Sequence, residues 1–509
     1  MNLEEALYKY FGYTSFRPGQ REIIESVLKG SHTLGMLPTG TGKSLCYQLP
    51  SYLMSKPALI VSPLLSLMQD QAEHLKVMGE KSVLALNSFL SIAERRRGLE
   101  ELHKYRFIFV SPEMLSIDHV LAAIQRLDIG LFVIDEAHCI SQWGYDFRPD
   151  YLRLGEVRKK LNCPLTLALT ATASEEVRLD IISKLGLEHV EQVISSVDRA
   201  NIALSIEICQ SHQEKQDRLL EMARELDGSG IIYFSSKKAA ESAAAFLQES
   251  GIPNVEFYHG GMESEQRMLI QQQFIIGQVR IICATSAFGM GINKQDVRFV
   301  IHFHLPSSME SYLQEIGRAG RDGKQSIAVL LYCAGDEGLP ALLMEQELPT
   351  DVQIESVLAY LALNKVDLDR IPKNVHEIIY GQYSLSETQW RFMNFFISSN
   401  RTNLSMAEII EAMKHYVKER IAYKNKQLQG FLKWLTANSC RREGVLLHFG
   451  EKEAITRPKF CCDRCGLGEG LFSSISELAD RTPIKLTYEG WRQDLENILV
   501  KKREQKHEE

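Results

Sequence analysis

The chain has 509 residues, of which 45% are hydrophobic and 24% are charged, and its formal net charge is −7. This length predicts about three or four domains, and the composition is typical of a soluble globular protein. No run of roughly eighteen apolar residues is present, so we expect no membrane span, and the acidic N-terminus does not resemble a signal peptide. Because the net charge is negative, any surface that binds nucleic acid must be local.

Six of the ten cysteines are scattered singly, and the other four lie close together near the C-terminus. Scattered cysteines within apolar runs indicate reduced, buried thiols and therefore an intracellular protein. We expect a cytoplasmic location.

The first thirty residues place aromatic, cationic and amide side chains just before a helical run at 22–28. Tyr13, Phe16, Arg17 and Gln20 have the chemistry to stack on an adenine ring and to hydrogen-bond its edge. The alternative is that Pro18 begins a turn that only caps the helix.

A glycine-rich turn, Leu37-Pro-Thr-Gly-Thr-Gly-Lys-Ser44, follows an apolar run that begins at Thr33 and precedes a predicted helix at 45–54. Backbone amides in such a turn converge on an anion, and the helix N-terminus adds its positive dipole end. The residues predicted to contact the nucleotide are Thr39, Gly40, Thr41, Gly42, Lys43 and Ser44. Lys43 would reach the β- and γ-phosphates and Ser44 would hold Mg²⁺. The usual first glycine of the motif is replaced by Leu37, and a plain glycine-rich turn is the alternative.

Between residues 57 and 186, short β-rich runs alternate with helical ones. The four predicted strands are Ala58–Val61, Arg106–Val110, Leu131–Ile134 and Leu165–Leu169. Strands separated by helices predict a parallel sheet covered on both faces, with a site formed at the carboxyl ends of the strands.

Two polar sequences follow strands of this set. Asp135-Glu136-Ala137-His138 comes after the third strand, where one carboxylate would hold Mg²⁺ and Glu136 would activate the attacking water. Thr170-Ala171-Thr172-Ala173 follows the fourth and offers hydroxyls that could sense the nucleotide. A carboxylate pair on an ordinary surface is the alternative for the first sequence.

The loop between Cys139 and Tyr151 is rich in aromatic residues. It contains Trp143, Tyr145, Phe147, Arg148 and Tyr151. Four aromatic rings and an arginine in one loop are typical of a platform on which bases stack. The alternative is that these rings pack in the core.

Residues 190–208 interrupt the alternation, and Asp198-Arg199-Ala200-Asn201 is predicted to be a hinge. A second set of predicted strands then follows, at Ile231–Phe234, Val255–Tyr258, Val279–Ala284, Val297–Phe303 and Ser326–Tyr332. This set predicts a second α/β domain, which has no phosphate loop of its own.

The second domain offers Gln314-Glu-Ile-Gly-Arg-Ala-Gly-Arg321, predicted as a helical segment with Arg318 and Arg321 one turn apart. An arginine brought to the γ-phosphate neutralises charge in the transition state, and Arg321 is the first candidate for this role, with Arg318 the second. Pairing with surface acids is the alternative. The segment from Phe288 to Asn293, which contains Gly289, is placed to contact nucleic-acid backbone and nucleotide.

Taken together, these motifs resemble superfamily 2 helicases, and specifically a short bacterial form of the RecQ family of DNA helicases. The resemblance covers residues 5–335 and returns near 440–465. It implies ATP- and Mg²⁺-dependent translocation on single-stranded DNA in the 3′ to 5′ direction, with strand separation. By matching position, Tyr13, Arg17 and Gln20 would contact adenine. Tyr145 and His304 depart from the family pattern, where histidine and aspartate are common.

The resemblance also implies that the loop holding Trp143, Phe147 and Arg148 contacts DNA and couples DNA binding to hydrolysis. Implied partners are single-stranded and forked DNA, single-stranded-DNA-binding protein and repair or recombination factors, with a monomeric, nucleoid-associated chain. Two alternatives stay open: an RNA helicase of the same superfamily, and a nucleic-acid-binding protein that uses ATP only as a switch.

The C-terminal part departs more from the family. A helical segment at 341–435 carries a basic stretch around Lys414 and Lys424, which could touch phosphates or form a solvated helix face. Beyond it, Cys440, Cys461, Cys462 and Cys465 form a four-thiolate set that predicts a structural zinc site, although two of these ligands are adjacent. Free thiols are the alternative. His448 is a rival ligand, but its apolar setting indicates a packed side chain.

The predicted fold class is therefore α/β, with two tandem RecA-like parallel-sheet domains followed by a mainly helical C-terminal region with a zinc module. The predicted boundaries are 1–195 for the ATP-binding domain, 196–340 for the second helicase domain, 341–435 for a helical region that could resemble a winged helix, 436–470 for the zinc module and 471–509 for a partly disordered extension.

Overall fold

The computed structural model of the protein describes residues 2–63, 65–87, 90–141, 148–289, 292, 294–366, 371–400, 404–451, 457–468, 471 and 475. Trp143, Tyr145, Phe147 and nearly all of the C-terminal extension lie outside these residues. The chain divides into two compact units. The first contains Met1–Ala200, Leu305–Gly317 and Ala334–Arg457, and the second contains Asn201–His304, Arg318–Cys333 and Pro458–Glu509.

The first unit is built on a seven-stranded sheet. Its elements up to residue 194 are α1 (Leu3–Phe11), α2 (Gln20–Leu28), β1 (Thr33–Met36), α3 (Leu45–Met54), β2 (Ala58–Val61), α4 (Leu65–Val77), β3 (Val83–Leu86), α5 (Ile92–Glu100), β4 (Phe107–Val110), α6 (Pro112–Leu115), α7 (Asp118–Ile124), β5 (Leu131–Ile134), α8 (Leu154–Lys160), β6 (Thr166–Thr170), α9 (Glu175–Leu185) and β7 (Glu191–Ile194). The strand order is β3-β4-β2-β5-β6-β1-β7, and every pair of neighbours is parallel.

The central strands of this sheet are buried along their whole length, as their unbroken apolar sequences require. Every residue of β2, β4 and β5 is buried, because helices cover both faces of a parallel sheet. The edge strand β7 is instead mostly exposed. β1 lies between β6 and β7, so the turn that follows β1 begins next to the end of β6.

The second unit contains a six-stranded parallel sheet in the order β10-β11-β9-β12-β13-β8. Its elements are β8 (Ile202–Cys209), α10 (His212–Glu225), β9 (Ser229–Tyr233), α11 (Lys237–Glu249), β10 (Val255–Tyr258), α12 (Ser264–Ile275), β11 (Ile281–Ala284), β12 (Val297–His302) and β13 (Ser326–Cys333). Between β12 and β13 the chain forms α13 (Met309–Ile316), which belongs to the first unit.

The described part of the C-terminal region is mainly helical. It contains α14 (Gly338–Glu347), α15 (Asp351–Leu363), α16 (Lys373–Gly381), α17 (Glu387–Asn400), α18 (Met406–Thr436) and α19 (Arg441–His448). Helices α15 to α18 share one apolar core that includes Leu358, Trp390 and Met413. The long helix α18 begins with a capping box, in which Ser405 and Glu408 bond each other's backbone amides.

The basic stretch of α18 forms ion pairs with neighbouring helices. Lys414 contacts Glu355 of α15 at 2.5 Å, and Lys418 lies 3.6 Å from Asp351. Lys424 pairs with Glu347 of α14. Because these lysines pair with acidic side chains of neighbouring helices, the structure favours the alternative of a helix face over the alternative of a phosphate-binding surface.

The predicted fold class is confirmed: two parallel-sheet units of RecA type, a helical C-terminal region and a cysteine cluster are present. Within residues 190–208 the strand–helix alternation is interrupted, because β7 is followed directly by β8, and neither of these strands was predicted. No helix among the described residues is both long enough and apolar enough to cross a bilayer.

Candidate nucleotide and zinc sites

The phosphate loop continues directly from β1. The amide of Leu37 donates to the carbonyl of Thr170 at 3.0 Å, so the loop starts in register with the end of β6. Gly40 and Gly42 have φ values of 85° and 81°, which side-chain-bearing residues rarely adopt. The Thr41 hydroxyl donates to the Pro38 carbonyl at 2.7 Å and closes the turn.

Of the residues predicted to recognise adenine, two hydrogen-bond the phosphate loop and one is exposed to solvent. The Gln20 side-chain amide donates to the carbonyls of Thr41 at 2.7 Å and Gly42 at 3.0 Å. The Arg17 guanidinium donates to the carbonyl of Gly40. Tyr13 is 57% exposed and therefore available to a ligand. Arg17 and Gln20, at the start of α2, are thus tied to the loop, and Gly19 between them has the positive φ of 80° that this tight entry into the helix needs.

Lys43 and Ser44 lie where the loop enters α3. The Ser44 hydroxyl donates to the Gln71 side chain at 3.0 Å. The strands β5, β6 and β1 are parallel neighbours, so the phosphate loop after β1 and the Asp135–His138 sequence after β5 start at the same edge of the sheet, as the sequence predicts. Lysine, hydroxyl and carboxylate are a donor set that fits a magnesium-bound nucleotide.

Asp135 is partly buried, and Glu136 is buried. Burial is the main cause that raises the pKa of Asp135 from 3.8 to about 7, and the negative charge of Glu136 is the second cause. The positive charge of Lys43 has the opposite, smaller effect. The Glu136 amide donates to Asp135 Oδ1 at 3.0 Å, and Glu136 has a φ of 48° and is 8% exposed. A left-handed conformation at a non-glycine residue stores strain, which is commonly found at functional sites.

His138 links the acidic pair to the end of β6. Its Nδ1 lies 3.0 Å from the Thr170 hydroxyl and 3.4 Å from Glu136 Oε2. The Thr170 hydroxyl in turn donates to the Thr172 carbonyl at 3.2 Å. The predicted Asp135–His138 and Thr170–Ala173 sequences are therefore in direct contact.

The aromatic loop is described only at its C-terminal side. Arg148 donates from Nη1 to the Pro63 carbonyl at 2.6 Å. Tyr151 is fully buried, and its hydroxyl donates to the Asp135 carbonyl at 3.2 Å. For Tyr151 the core-packing alternative is therefore correct. Trp143 and Phe147 are outside the described residues.

The arginine segment differs from its predicted form. Gln314 is on α13, but this helix ends at Ile316, and Arg318 and Arg321 lie in the following turns. The prediction that both arginines lie on a helix was wrong, because glycines stop the helix and Gly320 has a φ of 55°. Within the second unit, Arg318 donates to the carbonyl of Gly289 and Arg321 to that of Ile292.

One residue at this site was assigned no chemistry from the sequence. Arg199, in the predicted hinge, donates from Nη1 to the carbonyls of Thr39 at 3.1 Å and Gly317 at 3.3 Å. Both carbonyls belong to predicted motifs. The feature of the sequence that could have identified Arg199 is its position as a charged residue in a short connection between two predicted domains.

Three of the four predicted zinc ligands lie together in the second unit, close enough to share a metal ion. The sulfur atoms of Cys461, Cys462 and Cys465 are all within 4.8 Å of one another. A tetrahedral zinc ion with Zn–S bonds of about 2.3 Å needs sulfur atoms roughly 3.8 Å apart, so this donor set fits zinc. The adjacent positions 461 and 462 are therefore compatible with one site.

The backbone of this cysteine segment is fixed to an edge strand, and the rival ligand His448 has another partner. The Leu204 amide of β8 donates to the Cys461 carbonyl at 3.1 Å, and the Asp463 amide donates to the Leu204 carbonyl at 2.9 Å. His448 Nε2 lies 3.0 Å from Glu310 Oε1, as expected for a packed side chain.

Comparison with known proteins agrees with this geometry. Residues 17–179 match the DEAD/DEAH box helicase family and residues 214–323 match the helicase conserved C-terminal domain. The chain is 43% identical over 498 residues to "Probable ATP-dependent DNA helicase RecS" of Bacillus subtilis, with 98% of each chain covered. It is 40% identical to "ATP-dependent DNA helicase RecQ" of Pasteurella multocida, covering 69% of this chain and 56% of that one.

Among solved structures, helicase Lhr of Mycobacterium smegmatis, bound to ssDNA and AMP-PNP, aligns with a TM-score of 0.56. The identity is 20%, over 74% of this chain and 55% of that one, so this likeness concerns the fold alone. Two parallel sheets with a phosphate loop and an Asp-Glu-Ala-His sequence at strand ends define a helicase-type nucleoside triphosphatase. Within that class, the chain belongs to the RecQ-like family of ATP-dependent DNA helicases.

Proposed function

We propose that this protein hydrolyses ATP to translocate 3′ to 5′ on single-stranded DNA and to unwind duplexes during repair, recombination or replication-fork processing. The observation that carries the proposal is the meeting of the phosphate loop with Asp135 and Glu136 at one edge of the first sheet. The loop follows β1 and the acidic pair follows β5, and both strands lie beside β6 in the same parallel orientation.

The first unit supplies the groups that hold and attack the nucleotide. Lys43 binds the β- and γ-phosphates, and Ser44 and Asp135 hold the magnesium ion, which neutralises phosphate charge when bound. Glu136 accepts the proton of the attacking water, and its hydrogen-bonded neighbour Asp135 keeps it in place. Mg²⁺ would also keep the Asp135 carboxyl ionised, since a nearby divalent charge opposes the effect of burial.

Adenine recognition is assigned to the first residue of α2 and to two residues that precede this helix. Tyr13 stacks on the ring, and Arg17 and Gln20 read its edge. Because both of these polar side chains already donate to loop carbonyls, binding of the base would change the hydrogen bonds that shape the loop. The remaining loop residues, Thr39, Gly40, Thr41 and Gly42, offer their amides to the phosphates.

The second unit supplies positive charge for the transferring phosphoryl group. Arg321 is the primary group and Arg318 the second, while Gln314 at the end of α13 orients the nucleotide. Gly289 allows Arg318 to lie against the backbone, because a methyl group there would fall within its guanidinium. Such arginine contributions to phosphoryl transfer are worth about 10³- to 10⁵-fold in rate.

DNA contact is assigned to Trp143, Phe147 and Arg148, and zinc is assigned to the four clustered cysteines as a structural ion. We propose the boundaries 1–195, 196–340, 341–435, 436–470 and 471–509 for the domains. A monomer acting on single-stranded and forked DNA in the nucleoid, alongside single-stranded-DNA-binding protein and repair factors, is the corresponding cellular form.

The decisive experiment measures phosphate release and strand separation. Single-stranded DNA should stimulate hydrolysis more than RNA of the same length, and duplexes with a 3′ tail should be unwound in preference to those with a 5′ tail. Lys43→Ala should abolish hydrolysis, because the loop loses its charge to the phosphates. DNA-stimulated turnover by that variant would refute the assignment, and unwinding assays with a zinc chelator would test the metal's role.

A further inference from the structure

The junction of α18 and α19 forms a rigid support, which we call the α18–α19 corner and define as residues 431–448. The buried Arg441 guanidinium donates from Nη1 to the carbonyls of Trp434, Leu435 and Ala437 at 2.8 to 2.9 Å. The Trp434 indole returns a hydrogen bond to the Arg441 carbonyl at 2.9 Å. The last carbonyls of α18 are thereby capped, which fixes the direction in which α19 leaves.

The next residue of this corner reaches the predicted hinge. Arg442 is 4% exposed and donates from Nη1 both to the Asp198 carboxylate and to the Arg199 carbonyl, the latter at 3.1 Å. The Val197 amide donates to Glu451 Oε1 at 2.8 Å, just beyond α19. Val197 and the first two residues of the predicted hinge, Asp198 and Arg199, are thus held by groups from the C-terminal region.

Arg199 carries the connection on to the nucleotide site. Its guanidinium bonds the carbonyl of Thr39 in the phosphate loop and that of Gly317 at the end of α13. Gly317 directly precedes Arg318, and a methyl group at Gly317 would lie 3.3 Å from the Thr39 side chain. The position of Arg199 therefore bears on the shape of the loop and on the start of the arginine segment.

The same corner also holds α13 itself. The Tyr312 ring packs against Phe431 and Trp434, with ring centroids 5.6 and 5.3 Å apart. Glu310, near the N-terminus of the same short helix, meets His448 of α19 at 3.0 Å. Helix α13 is therefore fixed at its N-terminal half by the corner and at its C-terminal end by Arg199.

We propose that Arg199 and Arg442 are positioning residues for ATP hydrolysis, through which the α18–α19 corner sets the geometry of the phosphate loop and of the end of α13. This inference rests on the proposed function. A contact that tunes the approach of charged groups matters more in the transition state than in the bound ground state, so kcat should respond more than KM. Misplacement by about an ångström is enough for a change of up to about a hundredfold.

The test measures kcat and KM for ATP with saturating single-stranded DNA, with active sites counted by a fluorescent nucleotide. Arg199→Ala should lower kcat about tenfold or more, with KM and the Kd for single-stranded DNA changing less than about threefold. Arg199→Lys, which keeps N–H donors and charge, should recover most of the loss. Arg442→Met should lower kcat in the same direction, and Arg442→Lys provides a milder variant if the first does not fold.

Combining the two substitutions shows whether Arg442 acts on hydrolysis through Arg199 or independently of it. If Arg442 acts through Arg199, the double variant Arg199→Ala/Arg442→Met should be no slower than Arg199→Ala alone, whereas independent effects would multiply. Arg457→Ala removes an exposed arginine that pairs with Glu443 and should leave kcat unchanged.

Normal kcat in folded Arg199→Ala, or multiplicative losses in the double variant, would overturn the proposal. If the unaltered protein shows no DNA-stimulated hydrolysis, the proposed function fails and this inference fails with it. If the unaltered protein turns over normally and only the Arg199 and Arg442 variants behave contrary to expectation, the positioning role alone is refuted.

Discussion

Replacing Asp135 by asparagine should stabilise the protein when magnesium and nucleotide are absent. The carboxyl group is partly buried beside Glu136, and this burial raises its pKa from 3.8 to about 7. Asparagine has nearly the same shape, carries no charge, and can still accept the hydrogen bond from the Glu136 amide. The substitution therefore removes the cost of ionising a buried group without opening a cavity.

The size and sign of the effect follow from the raised pKa. One pKa unit corresponds to about 1.36 kcal/mol, so the raised pKa makes the ionised folded state less stable by an amount on the order of a few kcal/mol. Because the folded pKa is above the unfolded one, this stabilising protonation is complete below about pH 4. It is lost as the pH rises to about 7 and stays lost above that value. The advantage of Asp135→Asn should therefore grow from pH 5 to pH 8.

The assay is differential scanning calorimetry at pH 5 and pH 8 in EDTA. Asp128→Asn, at an exposed aspartate of the same unit, is the matched control and should show no such pH-dependent gain. Adding Mg²⁺ and ADP should raise the melting temperature of the unaltered protein more than that of the variant, because ligand binding stabilises the folded state. A variant that melts no higher than the unaltered protein at pH 8, or a gain independent of pH, would refute the reasoning.

Two further predictions concern the second unit and the cysteines. Gly289→Ala places a methyl group inside the Arg318 guanidinium, so DNA-stimulated hydrolysis should fall about tenfold with little change in melting temperature; Gly338→Ala, in open space, is the control. Equal activity of the two variants would contradict the placement of Arg318. Atomic emission spectroscopy should find one zinc per chain, lost in Cys462→Ser and retained when the exposed Cys163 is replaced by serine. Zinc that survives Cys462→Ser would contradict the four-thiolate site.

The sequence by itself determined the alternation of strands and helices and most of the strand positions. Leu131–Ile134 and Val255–Tyr258 were predicted with the bounds that the structure gives, because buried parallel strands are short apolar runs between turns. The edge strand β7 was missed for the same reason, since it is largely exposed and lacks such a run.

Sequence motifs also identified the loop and the acidic pair, because phosphate and magnesium contacts depend on local order: glycines in a turn, a lysine at the helix start, and carboxylates directly after a strand. They could not reveal that Tyr151 packs beneath the acidic pair rather than on a DNA-facing surface. Aromatic content alone does not distinguish a stacking platform from a core.

Only the tertiary structure decided the connections over long sequence distances. Arg199 bonds Thr39 and Gly317, and Arg442 bonds Asp198, across separations of more than a hundred residues. Such contacts leave no periodic pattern in the chain, because a guanidinium bonding a backbone carbonyl requires no particular residue type at the acceptor. The sequence therefore specifies which chemistry is present, whereas folding determines which groups hold that chemistry in place.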